Sequence, residues 1–180
     1  MKFRQIGFTL IELLVTVSLV GILVTLAVPS FQVLLAKRSI QAAAESLVAD
    51  MRYARSVAQT RSTRTVICRS TDGTDCSTTV GSWSVGWIVF VDINADGTVD
   101  SEDEIVRVQQ ALPNVASIHE DSAPTSTKIF INYEPTGWAK SANQTFNFTP
   151  TGSVPLGATR LVCISSTGRP ALRPQSDTSC

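Results

Sequence analysis

An acidic stretch near the middle of the chain carries the side chains best suited to binding a metal ion. Four oxygen-bearing side chains alternate around a glycine, at Asp92, Asn94, Asp96 and Asp100. This spacing resembles the calcium loop of an EF-hand. Two features weigh against calcium: the preceding run is typical of a strand, and the last ligand position holds Asp103 instead of a longer glutamate. The alternative is a tight hairpin turn whose side chains bond their own backbone, with no cofactor.

The cysteines are the second group that could do chemistry, and they lie at Cys68, Cys76, Cys163 and Cys180. Four cysteines allow three connectivities. Pairing sequence neighbours, Cys68 with Cys76 and Cys163 with Cys180, closes two short loops, each worth about 3 kcal/mol in the chain-entropy model. Zinc is a poor alternative, because there is no C-x-x-C pair and His119 is the sole histidine.

Catalytic arrangements are not supported by the sequence. A nucleophilic triad needs a base, and His119 lies in a loop-like stretch beside Glu120 and Asp121, which we expect only to solvate it. No glycine-rich phosphate loop precedes a helix. The paired acids Glu102 and Glu104 belong to the predicted hairpin turn. We therefore predict a protein that is not an enzyme.

The C-terminal segment carries arginines that could hold phosphate groups. Arg169 and Arg173 lie inside the loop that a Cys163–Cys180 bond would close, and Arg160 is nearby in sequence. Such side chains can contact phosphates without reading bases. No aromatic residue lies among them in the sequence. The alternative is a turn followed by a short strand with solvated arginines.

An apolar run at the N-terminus is the element around which the chain is organised. From Phe8 to Val28 the one charged residue is Glu12. About 20 such residues in a helix match the ~30 Å hydrocarbon core of a bilayer. Ala27-Val28-Pro29 places a proline where a secretory signal would be cleaved, so a signal peptide is disfavoured. A lone carboxylate within the span is costly, so we expect Glu12 to have a partner.

The helix is predicted to continue past Pro29, with a kink, to about Ser62. Its second half repeats apolar residues every three or four positions, at Ile40, Ala43, Leu47, Met51, Ala54 and Ala58. One face must therefore be covered by a globular partner. The arginines in and just after this half lie mostly off the apolar face, at Arg38, Arg52, Arg55, Arg61 and Arg64. For these arginines we favour a solvated face or a contact with another subunit over a DNA-binding stripe.

Beyond Thr63 the sequence changes to short β-branched and aromatic runs separated by turn residues. Strands are predicted at Thr65–Cys68, Trp83–Val91, Glu104–Val108, Ile129–Tyr133, Thr145–Phe148 and Arg160–Ile164. A long helix followed by such strands predicts an α+β fold with an antiparallel β-sheet on the apolar helix face. The chain of 180 residues has zero formal net charge, so nothing global favours a nucleic-acid partner.

The stretch Gly7-Phe8-Thr9-Leu10-Ile11-Glu12-Leu13 resembles the processing site of type IV pilins and type II secretion pseudopilins. The resemblance implies that a prepilin peptidase cuts after Gly7 and that Phe8, the new N-terminal residue, is methylated. It also implies that Glu12 pairs with the N-terminal amine of a neighbouring subunit during assembly. The fold it implies is the pilin-type fold, which the helix-then-strands pattern supports independently.

Two further segments resemble the GspH/FimT/FimU group of minor pilins and pseudopilins. The strand, acidic turn and strand around Asp92 are similar to a hairpin of that group, where we take the turn as structural. The resemblance implies a disulfide that fixes the C-terminal region, as members of this group often have, and a Cys163–Cys180 bond would do so here. The tail is similar to the Gly-Arg-x-Arg tail of FimT-type minor pilins, which bind DNA in natural transformation. The match is partial because three residues separate Arg169 from Arg173, and such binding would be weak and sequence-independent.

These observations predict three segments: a cytoplasmic leader at 1–7, an N-terminal helix at 8–62 whose transmembrane and assembly half is 8–30, and a periplasmic β-rich domain at 63–180. All cysteines follow the span, and disulfides persist in oxidising compartments, which gives this orientation. We expect a single-pass protein of the bacterial inner membrane that enters a type IV pilus near its tip. Its partners would be the prepilin peptidase and other pilin subunits. The alternatives are a DNA-binding minor pilin for DNA uptake and a minor pseudopilin of type II secretion.

Overall fold

The computed structural model describes residues 8–120, 130–140, 144–152 and 158–174. Along these residues a long helix and a 3-10 turn (Trp83–Val85) accompany eight strands: α1 (Leu10–Arg61), β1 (Arg64–Arg69), β2 (Trp87–Asp92), β3 (Glu104–Gln109), β4 (Val115–Glu120), β5 (Phe130–Tyr133), β6 (Gln144–Pro150), β7 (Arg160–Ile164) and β8 (Pro170–Pro174). The chain divides inside α1 into two units, the first ending at Leu35 and the second beginning at Ala36.

The part of α1 in the first unit exposes its large apolar side chains, and Leu10, Leu14 and Ile22 are each more than half exposed. Ser18 Oγ donates to the carbonyl oxygen of Leu14 at 2.7 Å, and Thr25 Oγ1 donates to that of Ile22 at 2.7 Å. These hydroxyls are therefore satisfied within the helix. In the part of the chain that the structure describes, α1 is the one helix long and apolar enough to cross a membrane.

The part of α1 in the second unit forms one wall of the main core. The six predicted apolar positions are all buried, with exposures between 0 and 3 % (Ile40, Ala43, Leu47, Met51, Ala54 and Ala58). The helix ends at Arg61, where Ser62 adopts a φ of 52° and the Thr63 N–H donates to the Ala58 carbonyl oxygen at 3.2 Å. This is a Schellman-type cap. The predicted continuation through Pro29 and the predicted end near Ser62 are confirmed.

Among the described residues of the second unit, the strands form two antiparallel four-stranded sheets, where the sequence had predicted one sheet. Their strand orders are β3-β2-β1-β5 and β4-β6-β7-β8. Local alternation of apolar residues identifies a strand but does not specify its partner, which is why the single-sheet prediction was wrong. The α+β class, with the long helix packed on antiparallel strands, is confirmed.

β2 is buried on both faces, because its successive side chains enter different clusters. Trp87 and Val89 pack into the main core with α1. Ile88 and Phe90 instead pack with Val66 and both cysteines of the 68–76 loop. The loop after β1 therefore covers the face of the first sheet that α1 does not cover.

Three strand predictions needed correction. The predicted strand Trp83–Val91 begins with the 3-10 turn instead, because Gly86 adopts a φ of 116° and separates the turn from β2. β4 was missed and its His119 was assigned to a loop, since its polar alternation gives a weak strand signal. β8 was anticipated only as an alternative, because it begins and ends with proline, which is tolerated at the edge of a sheet.

A buried carboxylate joins α1 to the first sheet. Asp50 is 4 % exposed, and its Oδ2 accepts from Trp87 Nε1 at 2.8 Å. Its Oδ1 accepts from the Arg107 guanidinium at 2.9 Å, and that guanidinium lies 4.5 Å from the centre of the Tyr53 ring. Both carboxylate oxygens are thus satisfied, as a buried charge requires.

Candidate assembly segment and basic cavity

The first turn of α1 forms a reciprocal capping box. The Glu12 N–H donates to Thr9 Oγ1 at 3.3 Å, while the Thr9 N–H donates to Glu12 Oε2 at 3.5 Å. Thr9 is therefore the N-cap, and Glu12 is the third helical residue, next to the positive end of the helix dipole. The T-x-x-E spacing in the sequence is the signal that could have predicted this cap.

Glu12 thus has a local partner within its own chain. Its carboxylate bonds the backbone one residue after Phe8, which is 86 % exposed. Gly7, the other half of the predicted cleavage site, lies outside the described residues. Pairing of Glu12 with the N-terminal amine of another subunit stays a prediction.

The acidic turn between β2 and β3 bonds its own backbone. Asp92 is buried, pairs with Arg64, and accepts from the Gly97 N–H at 3.0 Å. Asp96 accepts from the Thr98 N–H at 2.7 Å, and this bond holds the pKa of its carboxyl below the usual range. This geometry favours the hairpin-turn interpretation, in which Asx-type bonds fix the loop.

The remaining side chains of that turn behave in the same way. Asn94 Nδ2 donates to Asp100 Oδ2 at 2.7 Å, and Asp103 Oδ1 accepts from the Ile93 N–H at 2.9 Å. Over the described ranges, no group of three or more His, Cys, Asp or Glu side chains is arranged to hold a metal ion. Calcium binding by Asp92, Asn94, Asp96 and Asp100 therefore gains no support from the geometry.

One predicted disulfide is confirmed, between Cys68 and Cys76, whose Cα atoms lie 5.5 Å apart. Inside its loop, Asp72 accepts backbone N–H bonds from Thr74 and Asp75, which lower the pKa of Asp72 to about 2. Cys163 is also disulfide-bonded. Cys180 lies outside the described residues, so its pairing with Cys163 stays a prediction.

The three arginines predicted to contact DNA do not come together. β7 and β8 form an antiparallel hairpin in which Arg160 lies opposite Pro174 and Arg173 lies opposite Leu161. Arg169 lies at the other end of this hairpin, just before β8. Arg160 is also engaged, because its Nε donates to Gln41 Oε1 at 2.8 Å.

Arg169 instead lines a cavity with arginines of α1. This basic cavity, of about 360 Å³, is lined by Arg52, Arg55, Ser56, Gln59, Arg169 and Pro170. Arg52 and Arg55 are three positions apart on α1 and so lie on one helix face. That spacing was visible in the sequence, but their proximity to Arg169 was not.

The turn that carries Arg169 is fixed against the rest of the domain. The Gly168 N–H donates to the Ser165 carbonyl oxygen at 2.8 Å, and the Ala139 N–H donates to that of Ser166 at 3.3 Å. Gly168 has a φ of 74°, and a Cβ there would collide with the Gly137 carbonyl oxygen. That same oxygen accepts from Arg55 Nε at 3.0 Å. A single short loop therefore positions both Arg55 and the turn before Arg169.

The arginines that line the cavity make no ion pairs within the described part of the chain. No carboxylate there pairs with Arg52, Arg55 or Arg169, whereas three other arginines have acidic partners (Arg61 with Glu104, Arg64 with Asp92 and Arg107 with Asp50).

The buried Tyr133 hydroxyl makes no hydrogen bond among the described residues. Burial raises the pKa of Tyr133, and the charge of Arg55 acts in the opposite direction.

Comparison with known proteins gives two family matches. The family model described as "Type II transport protein GspH" matches residues 43–168. The model described as "Prokaryotic N-terminal methylation motif" matches residues 2–28. No curated protein matches the chain significantly.

Solved structures similar to the chain include the type IV minor pilin FimU of Pseudomonas aeruginosa strain PAO1, in two crystal forms. One form has 24 % identity and a TM-score of 0.59, covering 79 % of this chain and 96 % of that chain. The other has 25 % identity and a TM-score of 0.56, covering 78 % and 98 %. The minor pseudopilin EpsH of the Vibrio cholerae Type 2 Secretion System has 11 % identity and a TM-score of 0.52, covering 77 % and 99 %. The EpsH likeness shows the fold alone.

Proposed function

We propose that this chain, which belongs to the GspH family of type II transport proteins, is a minor pilin of a type IV pilus. The predicted resemblance to minor pilins and pseudopilins is confirmed by the family match. The single observation that carries the choice of a pilus is the likeness to FimU, with 25 % identity and a TM-score of 0.56, against 11 % and 0.52 for EpsH. The alternative is a minor pseudopilin of type II secretion.

In this role the first unit anchors the protein and then packs among other pilin helices. Its exposed apolar side chains and satisfied hydroxyls suit both lipid and a helical bundle. The methylation-motif match over residues 2–28 supports cleavage by prepilin peptidase between Gly7 and Phe8. The Cys68–Cys76 disulfide supports a periplasmic second unit and a cytoplasmic leader.

A structural role without catalysis follows from the family. Its partners would be other pilin subunits, and we assign the chain to a position near the fibre tip. The DNA-uptake alternative has less support than the sequence suggested, since Arg160 and Arg173 lie at the opposite end of the β7–β8 hairpin from Arg169.

Deletion of the gene in the native bacterium, followed by complementation, tests the proposal. We expect the deletion to lower the amount of surface fibres recovered in sheared preparations and to leave secretion of type II substrates unchanged. Complementation with Glu12→Ala should fail to restore the chain to sheared fibres, whereas Glu45→Ala, which changes an exposed acid on the same helix, should restore it. Gly7→Leu should accumulate an unprocessed form of higher mass. Loss of secretion with intact fibres would instead identify a pseudopilin.

A further inference from the structure

We propose that the basic cavity is a docking site for an acidic peptide segment of a neighbouring fibre subunit, whose carboxylates are received by Arg52, Arg55 and Arg169. The chemistry rests on the cavity itself. Only the identity of the partner as a fibre subunit rests on the proposed function.

This arrangement of arginines is unfavourable in the isolated chain. Arg52 and Arg55 are like charges three positions apart on a helix, which disfavours the helix. The fold adds Arg169 to the same cavity, and none of the three arginines pairs with a described carboxylate. An anion from outside the chain would remove this repulsion, and carboxylates match the planar fork of guanidinium donors.

The cavity is already organised before any partner binds. Arg55 Nε is held by the Gly137 carbonyl oxygen, which leaves its two terminal nitrogens available. Gln59 Nε2 donates to the Thr136 carbonyl oxygen at 3.4 Å. The Gly168 turn fixes the backbone before Arg169. Because these groups are ordered in advance, binding an anion costs less conformational entropy.

The arrangement of the arginines favours a protein segment over nucleic acid as the partner. Following a DNA strand needs a row of cations along successive phosphates, and a DNA-binding domain is commonly basic overall. Here three arginines line one cavity in a chain of zero formal net charge. Trp138, next to Gly137 on the same loop, is 58 % exposed. Trp and Arg together are typical of the residues that dominate protein–protein binding energy.

The chain itself shows what such an acidic segment looks like. In the β2–β3 turn, Asp96, Asp100 and Glu102 are exposed, and none of them has an ion pair among the described residues. A subunit with a turn of this kind could insert two or three carboxylates into the basic cavity. A cavity on one subunit and a loop on the next would form a heterologous contact, which suits a helical fibre.

Binding of a labelled acidic peptide by the full-length protein in detergent micelles tests the proposal. The probe is a short peptide of Asp, Glu and Gly, compared with inorganic phosphate and a duplex DNA of about 20 base pairs, a length that covers two turns of the helix. The test variant is Arg52→Gln/Arg169→Gln. The control is Lys37→Gln/Arg38→Gln, which removes the same charge from exposed positions of α1 outside the cavity.

We expect the wild type and the control to bind the peptide with affinities within about twofold of each other, while the test variant loses roughly tenfold or more. Equal thermal midpoints would show that the variants are folded. Peptide binding that is absent, or unchanged in the test variant, would overturn the proposal. Duplex DNA that binds more tightly than the peptide, and is lost in the same variant, would overturn it in favour of nucleic acid.

Measuring the amount of each variant protein in sheared fibres tests this inference and the proposed function independently of each other. A chain present in fibres that fails to bind the peptide contradicts the inference and leaves the function standing. A chain that binds the peptide through the cavity, but supports secretion and is absent from pili, upholds the cavity chemistry and contradicts the pilus assignment.

Discussion

Asp50→Ala tests how α1 is joined to the first sheet. The change leaves the Trp87 indole N–H without its acceptor, and Trp87 is fully buried. An unsatisfied buried donor costs about 1–3 kcal/mol. Loss of the pair with Arg107, whose side chain is 49 % exposed, adds less than about 1 kcal/mol. The higher helix propensity of alanine offsets about 0.5 kcal/mol of this loss. We therefore expect a net loss of about 1–3 kcal/mol in the free energy of unfolding.

The assay is thermal unfolding of the full chain in detergent micelles, followed by near-UV circular dichroism. For a unit of this size, about 4 °C per kcal/mol predicts a midpoint lower by about 4–12 °C. Asp50→Asn keeps an acceptor for the indole N–H, so its midpoint should fall by less than about 4 °C. Glu45→Ala, at an exposed position of the same helix, should change the free energy by no more than about 0.5 kcal/mol.

A double change provides the decisive comparison. Trp87→Phe removes the donor, so the further loss caused by Asp50→Ala should be smaller in that background than in the wild type. An Asp50→Ala midpoint within about 2 °C of the wild type, or losses from the two changes that simply add, would refute a stabilising contact between Asp50 and Trp87.

Three further outcomes follow from local geometry. The pKa of Asp72 is lowered to about 2, chiefly by backbone N–H bonds, so its stabilising effect is complete above its ordinary pKa of 3.8 and is lost as pH falls toward 2. In thermal scans across that window, Asp72→Asn should lose less stability than the wild type, and parallel slopes would contradict this. Cys68→Ala/Cys76→Ala should lower the free energy of unfolding by about 2–3 kcal/mol in denaturant titrations. Adding a reductant to this double variant should cause no further loss of stability from the 68–76 loop, because its disulfide is already absent. Gly168→Ala should destabilise by at least about 1 kcal/mol, because of its φ of 74° and the collision with Gly137, and an unchanged midpoint would show that the turn can move.

The sequence alone determined the features that depend on short spacings. The three- and four-residue recurrence from Ile40 to Ala58 defined the buried face of α1, and every predicted position is buried. The ordered motif from Gly7 to Leu13 identified the family, which the family models confirm. The Cys68–Cys76 pair followed from loop length. The capping box of Thr9 and Glu12 was equally local and could have been predicted from its spacing.

Only the tertiary structure decided how distant segments meet. The division into two sheets, the Asp50 contact with Trp87 and the basic cavity all join residues far apart in the chain. The contact of Arg55 with Gly137, for example, spans 82 positions. Such contacts leave no periodic signal, because the register of strands and turns fixes them only after the chain has packed. The sequence therefore grouped Arg169 with its neighbours Arg160 and Arg173, while the fold placed it beside Arg52 and Arg55.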